Sequence, residues 1–504
     1  MITAKQQDIF LDEDKRRRNG VFPTPQIWVE KSQEYLAKTF GENWQDEYYI
    51  WDCCCGTGNL LTGLVNPYNV WASTIDQADV DILHTSINNH KCNLLASHVF
   101  RFDFLNGNID NLPEELRSIV SDPEKQKKLI IYINPPYAEA TSHKRRTKSG
   151  VAKDIEANFK SIIGAASNEI YAYFFAKIYQ LIPEGKLASF STIKYVNAPN
   201  FSRFRDFFKA SFKKGFLVPA STFDNVQGQF PIGFLIWDFS KKRKITEIQC
   251  DIFDSNGRII GTKRAYGNLP PSINKWIALA NDPAETGIGY LNCVTPMFQT
   301  QGYVWIDQTE QITHCLHLPI QSRNLIVSAV YFAVRHAIKA DWINNRDQFL
   351  YPNDDYKKDK SFQNDCLIFT LFHHQNRIKS SAGINHWIPF TAREVSAKDN
   401  FKSTFMSDFL QKRKLSKEAQ AVFEAGKALW TYYHETIRKL RTPPVDASLY
   451  EIREYFKGRN AQGKMNTKSS DEQFTELDAE LRSALKKLAA KIEPKVYEYG
   501  FLKR

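Results

Sequence analysis

The 504-residue sequence lacks an apolar run of membrane-spanning length, and its N-terminus has no secretory apolar core. Its eight cysteines form no CxxC pair, since Cys53, Cys54 and Cys55 are adjacent and the other five are scattered. Neither a metal site of the usual spacing nor a disulfide framework is therefore predicted. Together these absences predict a soluble cytoplasmic protein with reduced thiols and no membrane partner.

The sequence also contains no internal repeat and no low-complexity domain. Its hydrophobic fraction is 42% and its aromatic fraction is 13%, which are values of a globular protein. A chain of this length exceeds one hydrophobic core, so two or three domains are expected. The formal net charge of +11 favours a polyanionic partner, although many basic proteins bind none.

An apolar run, Leu129–Ile133, ends abruptly at Asn134, Pro135, Pro136 and Tyr137. The run predicts a strand that is buried on both faces, as in a parallel sheet. The prolines cannot continue the strand, because they fix φ and have no N–H to donate. The strand therefore ends in a stiff polar tip with amide and peptide oxygens and an aromatic ring. Such a tip suits a planar group with two N–H bonds, although a proline turn without function has the same pattern.

A glycine loop follows another strand-like run in the segment Tyr48–Leu61. Gly56 and Gly58 permit unusual φ angles, and the small residues beside them let the backbone approach a ligand closely. Leu61 stands where the dinucleotide fingerprint has its third glycine, which helps to cradle a pyrophosphate. The spacing therefore favours a nucleoside ligand that has no pyrophosphate.

Two carboxylates are predicted at the tips of the next two strands. Asp76 lies twenty positions after Gly56, a spacing that suits an acid bound to ribose hydroxyls. Asp103 can accept a hydrogen bond from an adenine amine, and Phe104 can stack on the ring. Surface acids beside a core aromatic would give the same sequence. Strand-like and helical segments alternate here, which predicts a doubly wound α/β domain with ligands at the carboxyl ends of its strands.

Three further features surround these motifs. Gly20–Pro25 predicts a stiff turn before a helix, and Thr24 can cap that helix. A basic loop just beyond Tyr137 suits phosphate contacts, although a solvated loop has the same composition. Its cationic residues are Lys144, Arg145, Arg146 and Lys148. Phe223 and Phe230 are rival candidates for a second aromatic wall near the ligand, and core packing is the alternative for both.

Taken together, these residues resemble the amino-group DNA methyltransferases that use S-adenosylmethionine, and more narrowly the adenine-N6 enzymes of the gamma motif order. In that family a Phe-x-Thr-Pro element precedes the cofactor loop, and Asn-Pro-Pro-Tyr follows it. Gly20–Pro25, Asp52–Gly58 and Asn134–Tyr137 match these motifs in the same order. Pro23 stands where the family commonly has an aromatic residue. The resemblance covers roughly residues 18–240.

The resemblance implies a Rossmann-like doubly wound methyltransferase domain over residues 20–240, after an N-terminal arm of residues 1–19. A mixed α+β and helical target recognition region would occupy residues 241–415, and residues 416–504 are predicted to be mostly helical. The catalytic tetrapeptide would be Asn134, Pro135, Pro136 and Tyr137, with Tyr137 and either Phe223 or Phe230 stacked on the target base. The implied cofactor-binding residues are Phe22, Thr24, Pro25, Asp52, Cys53, Gly56, Gly58, Asp76, Gln77, Asp103, Phe104 and Asn134.

The implied reaction is methyl transfer from S-adenosylmethionine to N6 of an adenine that is flipped out of double-stranded DNA. The implied setting is a restriction-modification system, which leaves a separately encoded restriction endonuclease open as a partner. Cytosine-N4 enzymes remain an alternative, although most of them begin the tetrapeptide with Ser. RNA methyltransferases and release-factor glutamine methyltransferases also remain alternatives. A fused nuclease is disfavoured because no Asp…Glu-x-Lys site is evident after residue 240. A DNA-binding module without catalysis is disfavoured by the intact tetrapeptide.

Overall fold

The computed structural model describes residues 23–136, 151–223, 226, 228–282, 287–308, 315–442 and 444–504. Phe22, Tyr137 and the basic loop residues Lys144, Arg145, Arg146 and Lys148 lie outside these ranges, so the predictions made for them stay predictions. The chain divides into two compact units. The first comprises Met1–Leu269 and Asp341–Arg346, and the second comprises Pro270–Ala340 and Asp347–Arg504.

The first unit is built on a sheet to which the described residues contribute nine strands, in the order β3-β2-β1-β4-β5-β7-β6-β8-β9. The strands are β1 (Tyr49–Asp52), β2 (Val70–Thr74), β3 (Val99–Arg101), β4 (Leu129–Ile133), β5 (Lys186–Thr192), β6 (Ser211–Pro219), β7 (Pro231–Asp238), β8 (Glu247–Phe253) and β9 (Ile259–Tyr266). Strands β3, β2, β1, β4 and β5 are mutually parallel, whereas β7 is antiparallel to both β5 and β6. The predicted doubly wound α/β fold is confirmed.

Helices cover both faces of this sheet. They are α1 (Gln26–Phe40), α2 (Trp44–Glu47), α3 (Gln77–Asn88), α4 (Glu114–Ser121), α5 (Pro123–Gln126), α6 (Lys153–Ile163), α7 (Ile170–Leu181), α8 (Lys194–Asn197) and α9 (Ser202–Phe207). Short 3-10 turns occupy Asn59–Leu61, Pro67–Asn69, Ala96–His98, Ile109–Asn111, Gly164–Asn168, Pro199–Phe201 and Ala220–Thr222. Strand β4 is buried throughout, and its residues alternate between two hydrophobic clusters, with Ile131 in one and Tyr132 in the other. The predicted two-sided burial of this strand is therefore confirmed.

The first unit extends beyond the boundary that the sequence predicts after residue 240. Strand β8 pairs with β6, β9 pairs with β8, and the main segment of the unit ends at Leu269. Phe253 of β8 packs edge-on against Phe216 of β6 and joins the same core as Trp28. The basic run Lys241–Lys244 resembles a linker in the sequence, but the chain returns to the sheet immediately after it.

The second unit has a small sheet in the order β11-β10-β12, formed by β10 (Gly289–Cys293), β11 (Val304–Asp307) and β12 (Leu316–Ile320). Its helices are α10 (Ile273–Ala278), α11 (Leu325–Ala337), α12 (Lys360–Phe372), α13 (Phe405–Gln411), α14 (Lys417–Ile437), α15 (Leu449–Lys457) and α16 (Glu472–Glu498). Its 3-10 turns are Phe298–Tyr303, Asp354–Lys357, Ser380–Ala382 and Arg393–Val395.

One hydrophobic core runs through the second unit, from Ile273 to Leu502. The predicted boundary between residues 415 and 416 therefore does not separate two cores, although the helical character predicted for residues 416–504 is confirmed. The reason is that α14 and α16 bury apolar stripes, including Leu429 and Leu488, in the same core as α12. No helix in the described parts of the chain is both long enough and apolar enough to cross a bilayer.

Gly426 allows α14 to pack closely against α12. A Cβ atom at this position would overlap the ring of Phe372, which is fully buried. Alanine gains about 1 kcal/mol over glycine in helix propensity, but overpacking a core costs about 1–3 kcal/mol. We therefore expect Gly426→Ala to lower the free energy of unfolding of the second unit by up to about 2 kcal/mol in urea titrations.

Glu424→Ala is the matched control, because residue 424 is exposed on the same helix. Its effect should stay within about 0.5 kcal/mol. A Gly426→Ala protein that was more stable than the parent would contradict the close approach of the two helices.

Candidate active site at the switch point of the sheet

The direction in which successive strands are added to the sheet reverses at β1. From β1 the chain builds outward through β2 and β3 on one side, and β4 and β5 continue on the other. Ligands of open α/β sheets bind outside the carboxyl ends of the strands at such a switch point. A small cavity lies there, lined by Pro23, Thr24, Asp52, Cys54, Cys55, Gly56, Thr57, Asn59, Leu60, Asp79 and Asn134.

The glycine loop after β1 forms one wall of this cavity. Gly56 and Gly58 have φ angles of 51° and 82°, in the left-handed region that glycine occupies most readily. A Cβ atom on Gly58 would also lie 2.6 Å from a side-chain carbon of Leu83. The backbone N–H of Cys55 donates to the carbonyl oxygen of Ser73 at 3.0 Å, which ties the loop to β2. Both glycines are therefore needed for the shape of the wall.

Asp52 ends β1 and is almost completely buried. Its carboxylate accepts a hydrogen bond from the backbone N–H of Cys54 at 3.0 Å. Burial nevertheless raises the pKa of Asp52 to about 7, because one such bond does not replace the lost hydration of the charge. The carboxyl group therefore changes its charge near neutral pH and would gain from a positively charged ligand.

Asn134 follows β4 directly and faces the same cavity. Its Nδ2 donates a hydrogen bond to Thr24 Oγ1 at 2.9 Å, and Thr24 is buried. This bond fixes the plane of the amide and the direction in which its oxygen points. It also corrects the prediction that Thr24 caps the following helix. The N-cap position of α1 is Pro25, and no side chain caps that helix end.

The charges that line the cavity have one sign. Asp52 and Asp79 are acidic, and none of the described lining residues is Lys or Arg. Burial raises the pKa of the thiols of Cys54 and Cys55 well above their usual range, so both stay neutral. A pyrophosphate would meet two carboxylates here. A ligand with positive charge fits this lining, and S-adenosylmethionine carries both a sulfonium and an ammonium group.

The structure places several predicted cofactor residues away from the cavity lining. Asp76 is exposed at the N-cap of α3, where it accepts from the backbone N–H of Ala78 at 3.0 Å. The neighbouring Gln77 donates to Asp81 at 2.9 Å. Asp103 accepts from the backbone and side-chain nitrogens of Asn106 at 3.1 and 2.8 Å.

Two other predicted cofactor residues are part of the hydrophobic core. Phe104 is 3% exposed, with its ring stacked on Phe174 at a centroid distance of 5.6 Å. Cys53 lies in the same cluster. Phe104 therefore packs in the core, which is the alternative that its sequence left open. The cofactor roles of these residues and of Asp76, Gln77 and Asp103 stay predictions.

The two rival aromatic residues differ in exposure. Phe223 is 1% exposed and contacts Phe190 in the core. Phe230 is half-buried directly before β7, and the guanidinium carbon of Arg346 lies 5.2 Å from its ring centroid. Because Ile232 pairs with Thr192 at the end of β5, Phe230 lies at the same edge of the sheet as Asn134. Of the two, Phe230 is the more exposed.

Sequence reasoning missed part of the cavity wall. Asp79 lines the cavity from the first turn of α3, and Cys54, Cys55, Thr57 and Asn59 line it from the glycine loop. The loop residues lie inside the recognised motif and could have been included with it. Asp79 has no comparable signal, because an acid in a first helical turn is common and favours the helix by itself. No group of three or more His, Cys, Asp or Glu in the described residues is arranged to hold a metal ion.

Comparisons with protein-family models and with curated proteins returned no match. Among solved structures, the chain is similar to part of the DrdV–DNA complex, with 17% identity over 48% of this chain and 28% of that chain and a TM-score of 0.35. A type I restriction-modification methyltransferase subunit from Streptococcus thermophilus shows 16% identity, coverage of 46% and 47%, and a TM-score of 0.33.

A protein from Listeria monocytogenes, described as a class I S-adenosylmethionine-dependent methyltransferase, shows 14% identity, coverage of 50% and 71%, and a TM-score of 0.32. This chain thus spans 28% of the length of the DrdV chain and 47% of the length of the Streptococcus subunit.

The buried carboxyl of Asp52 predicts a specific pH dependence of stability. Its pKa is about 7 in the folded protein and has an ordinary value of 3.8. Between these values the folded state holds a proton that the unfolded state releases, so stability falls as pH rises. Across this pH window the free energy of unfolding of the parent should fall by an amount on the order of 2–4 kcal/mol. We expect Asp52→Asn to lack this fall, as measured by urea unfolding at several pH values.

Asp81→Asn serves as the control, because Asp81 is an exposed acid on α3 in the same unit. It should leave the pH profile of the parent unchanged. Identical profiles for the parent and Asp52→Asn would show that the Asp52 carboxyl is hydrated in the folded protein.

Proposed function

We propose that this chain is a DNA methyltransferase that transfers the methyl group of S-adenosylmethionine to the N6 amine of an adenine. The observation that carries the proposal is the position of Asn134. It ends β4 at the switch-point cavity, and Thr24 from another motif holds its amide. Two motifs that are 110 residues apart in the sequence thus meet at the cavity that the glycine loop shapes.

S-adenosylmethionine would be held by the cavity residues of the first unit. The carboxylates of Asp52 and Asp79 offer acceptors for its ammonium group and complement its positive charge. The loop from Cys54 to Asn59 offers backbone groups at close range, because Gly56 adds no side chain. When bound, the cofactor supplies a methyl group on a sulfonium, which is already a strong electrophile.

Asn134 prepares the amine that receives the methyl group. The lone pair of an exocyclic base amine is delocalised into the ring, which makes the nitrogen a poor nucleophile. The side-chain oxygen of Asn134 and the carbonyl oxygen of Pro135 would accept the two N–H bonds and direct the lone pair toward the cavity. The bond from Asn134 Nδ2 to Thr24 Oγ1 favours this orientation, because it leaves the side-chain oxygen to accept from the amine. Positioning of this kind supplies much of the catalysis in such a transfer.

The target base has to leave the helix to reach Asn134, since its amine is inaccessible inside a duplex. Tyr137 follows the catalytic segment, and Phe230 lies at the same edge of the sheet. Stacking on such rings offsets the cost of unstacking by about 1–3 kcal/mol for each contact. The basic residues Lys144, Arg145, Arg146 and Lys148 would contact phosphates beside the flipped base. The protein would act in restriction-modification, with a separately encoded endonuclease as its partner, because its sequence resembles enzymes of such systems.

Methyl transfer from labelled S-adenosylmethionine tests the proposed activity. We expect label in duplex DNA and N6-methyladenine after digestion to nucleosides. N4-methylcytosine in the digest would show that the target base is wrong. Label confined to RNA or to protein would show that the substrate class is wrong.

Asn134→Ala should abolish transfer, because the amine then loses its main acceptor. Binding of S-adenosylmethionine, measured by calorimetry, should stay within about threefold of the parent, since that variant keeps both cavity carboxylates. Asp79→Asn should instead weaken the binding of S-adenosylmethionine, because it removes one of the two cavity carboxylates. An active Asn134→Ala protein would contradict the catalytic assignment.

Thr24→Val removes the hydroxyl that accepts from Asn134 but keeps a similar volume. A buried N–H without its acceptor costs about 1–3 kcal/mol, so we expect kcat to fall by roughly 10- to 100-fold. Thr24→Ser keeps the acceptor and should retain most of the activity. Equal rates for the Val and Ser variants would show that the hydrogen bond does not position Asn134.

A further inference from the structure

A second cavity, separate from the catalytic site, lies within the second unit of the chain. Its volume is about 1100 Å³, which exceeds the usual range of roughly 300–1000 Å³ for small-molecule sites. It is lined by the first turn of α12, by α13, and by the loop that joins α13 to α14. A space of this size can hold a section of an extended ligand.

The lining of this second cavity, which is called the groove from here on, is strongly cationic. Lys360, Lys412, Arg413 and Lys414 line it, and Asp408 is its one acidic residue among the described lining residues. No carboxylate in the described chain lies within ion-pair distance of any of these four cations. Asp408 itself accepts from the hydroxyl of Thr404 at 2.7 Å. Cations gathered without neutralisation favour an anionic ligand.

Arg413 is held in place although it has no counter-ion. Its Nη1 donates to Asn364 Oδ1 at 2.8 Å, and its guanidinium carbon lies 4.2 Å from the ring centroid of Phe409. Asn364 is buried and also donates to the carbonyl oxygen of Lys414 at 3.0 Å, so it orders the loop. Partial burial lowers the pKa of Arg413, which indicates that its charge is partly desolvated. An anion in the groove would repay this cost.

Two helix N-termini border the groove. Lys360 is the first residue of α12, and Ser416, the N-cap of α14, also lines the groove. Acids near these helix ends are already paired, since Asp359 lies 3.3 Å from Lys495 and Glu418 lies 3.2 Å from Lys491. Each of these N-termini is capped by a side chain, since Asp359 accepts from the backbone N–H of Phe362 and Ser416 accepts from that of Ala419. The attraction for an anion such as a phosphate therefore comes from the four cationic side chains.

We propose that this groove binds the phosphodiester backbone of duplex DNA. The proposal rests on the proposed function for the class of partner, and on the groove for the place of contact. A single strand is disfavoured, because Arg413 already covers Phe409 and the Phe405 ring stacks on Phe409 at 6.1 Å. These rings therefore offer no open platform for an unstacked base. The contact is to phosphate and would be insensitive to base sequence.

The test is the salt dependence of DNA affinity for the full chain, measured by fluorescence anisotropy with a labelled duplex and without cofactor. Lys412→Gln/Lys414→Gln removes two exposed charges from the groove. The slope of log affinity against log salt should decrease in magnitude by about two, since each lost phosphate contact changes it by about one. Lys486→Gln/Lys487→Gln is the matched control, because it removes two exposed charges from α16 and should leave the slope unchanged.

Equal slopes for the groove variant and its control would overturn the proposal. If the groove variant lost more affinity for single-stranded RNA than for duplex DNA, the proposal would be overturned in favour of an RNA-binding groove. Unfolding temperatures within a degree or two of the parent would show that both variants fold. A groove variant with the reduced slope supports the contact even if the parent transfers no methyl group, so failure of the groove and failure of the proposed reaction give different results.

Discussion

The reversal of strand order between β1 and β4 is the constraint on which the candidate site depends. Helix α3 packs on one face of the sheet through Leu83, and α7 packs on the other through Tyr171. A crevice therefore opens at the carboxyl ends of the two central strands. Asp52 and Asn134 occupy those ends, and Pro135 prevents β4 from extending across the opening. The bond to Thr24 then brings the segment before α1 to the same place.

The electrostatics of the crevice narrow the chemistry that it can host. The two carboxylates that line the crevice disfavour a pyrophosphate and favour a positively charged ligand. The neutral thiols beside them act as small wall residues and not as nucleophiles. What remains is binding and orientation, which suffices for transfer of a methyl group that is already activated. The basic groove of the second unit has the opposite charge and would serve the polyanionic substrate.

The local elements were predictable from the sequence, but the contacts between distant elements were not. The strand Leu129–Ile133 and the left-handed glycines follow from apolar runs and backbone preferences that neighbouring residues decide. Tertiary packing decides whether Phe104 and Phe223 face a ligand or the core, and no local pattern distinguishes these outcomes. The same holds for Thr24, whose partner is Asn134 and not its own helix, and for strands β8 and β9, which rejoin the sheet after a basic segment.

A crystal structure of the chain with S-adenosylhomocysteine would test the central claim most directly. This product of the proposed reaction lacks the methyl group but keeps the nucleoside, the sulfur and the ammonium group. The predicted result is ligand density in the cavity between Asp52 and Asn134, with the ammonium group near a carboxylate and the sulfur turned toward Asn134. Density at another edge of the sheet, or a sulfur that faces away from Asn134, would contradict a methyl transfer centred on this residue.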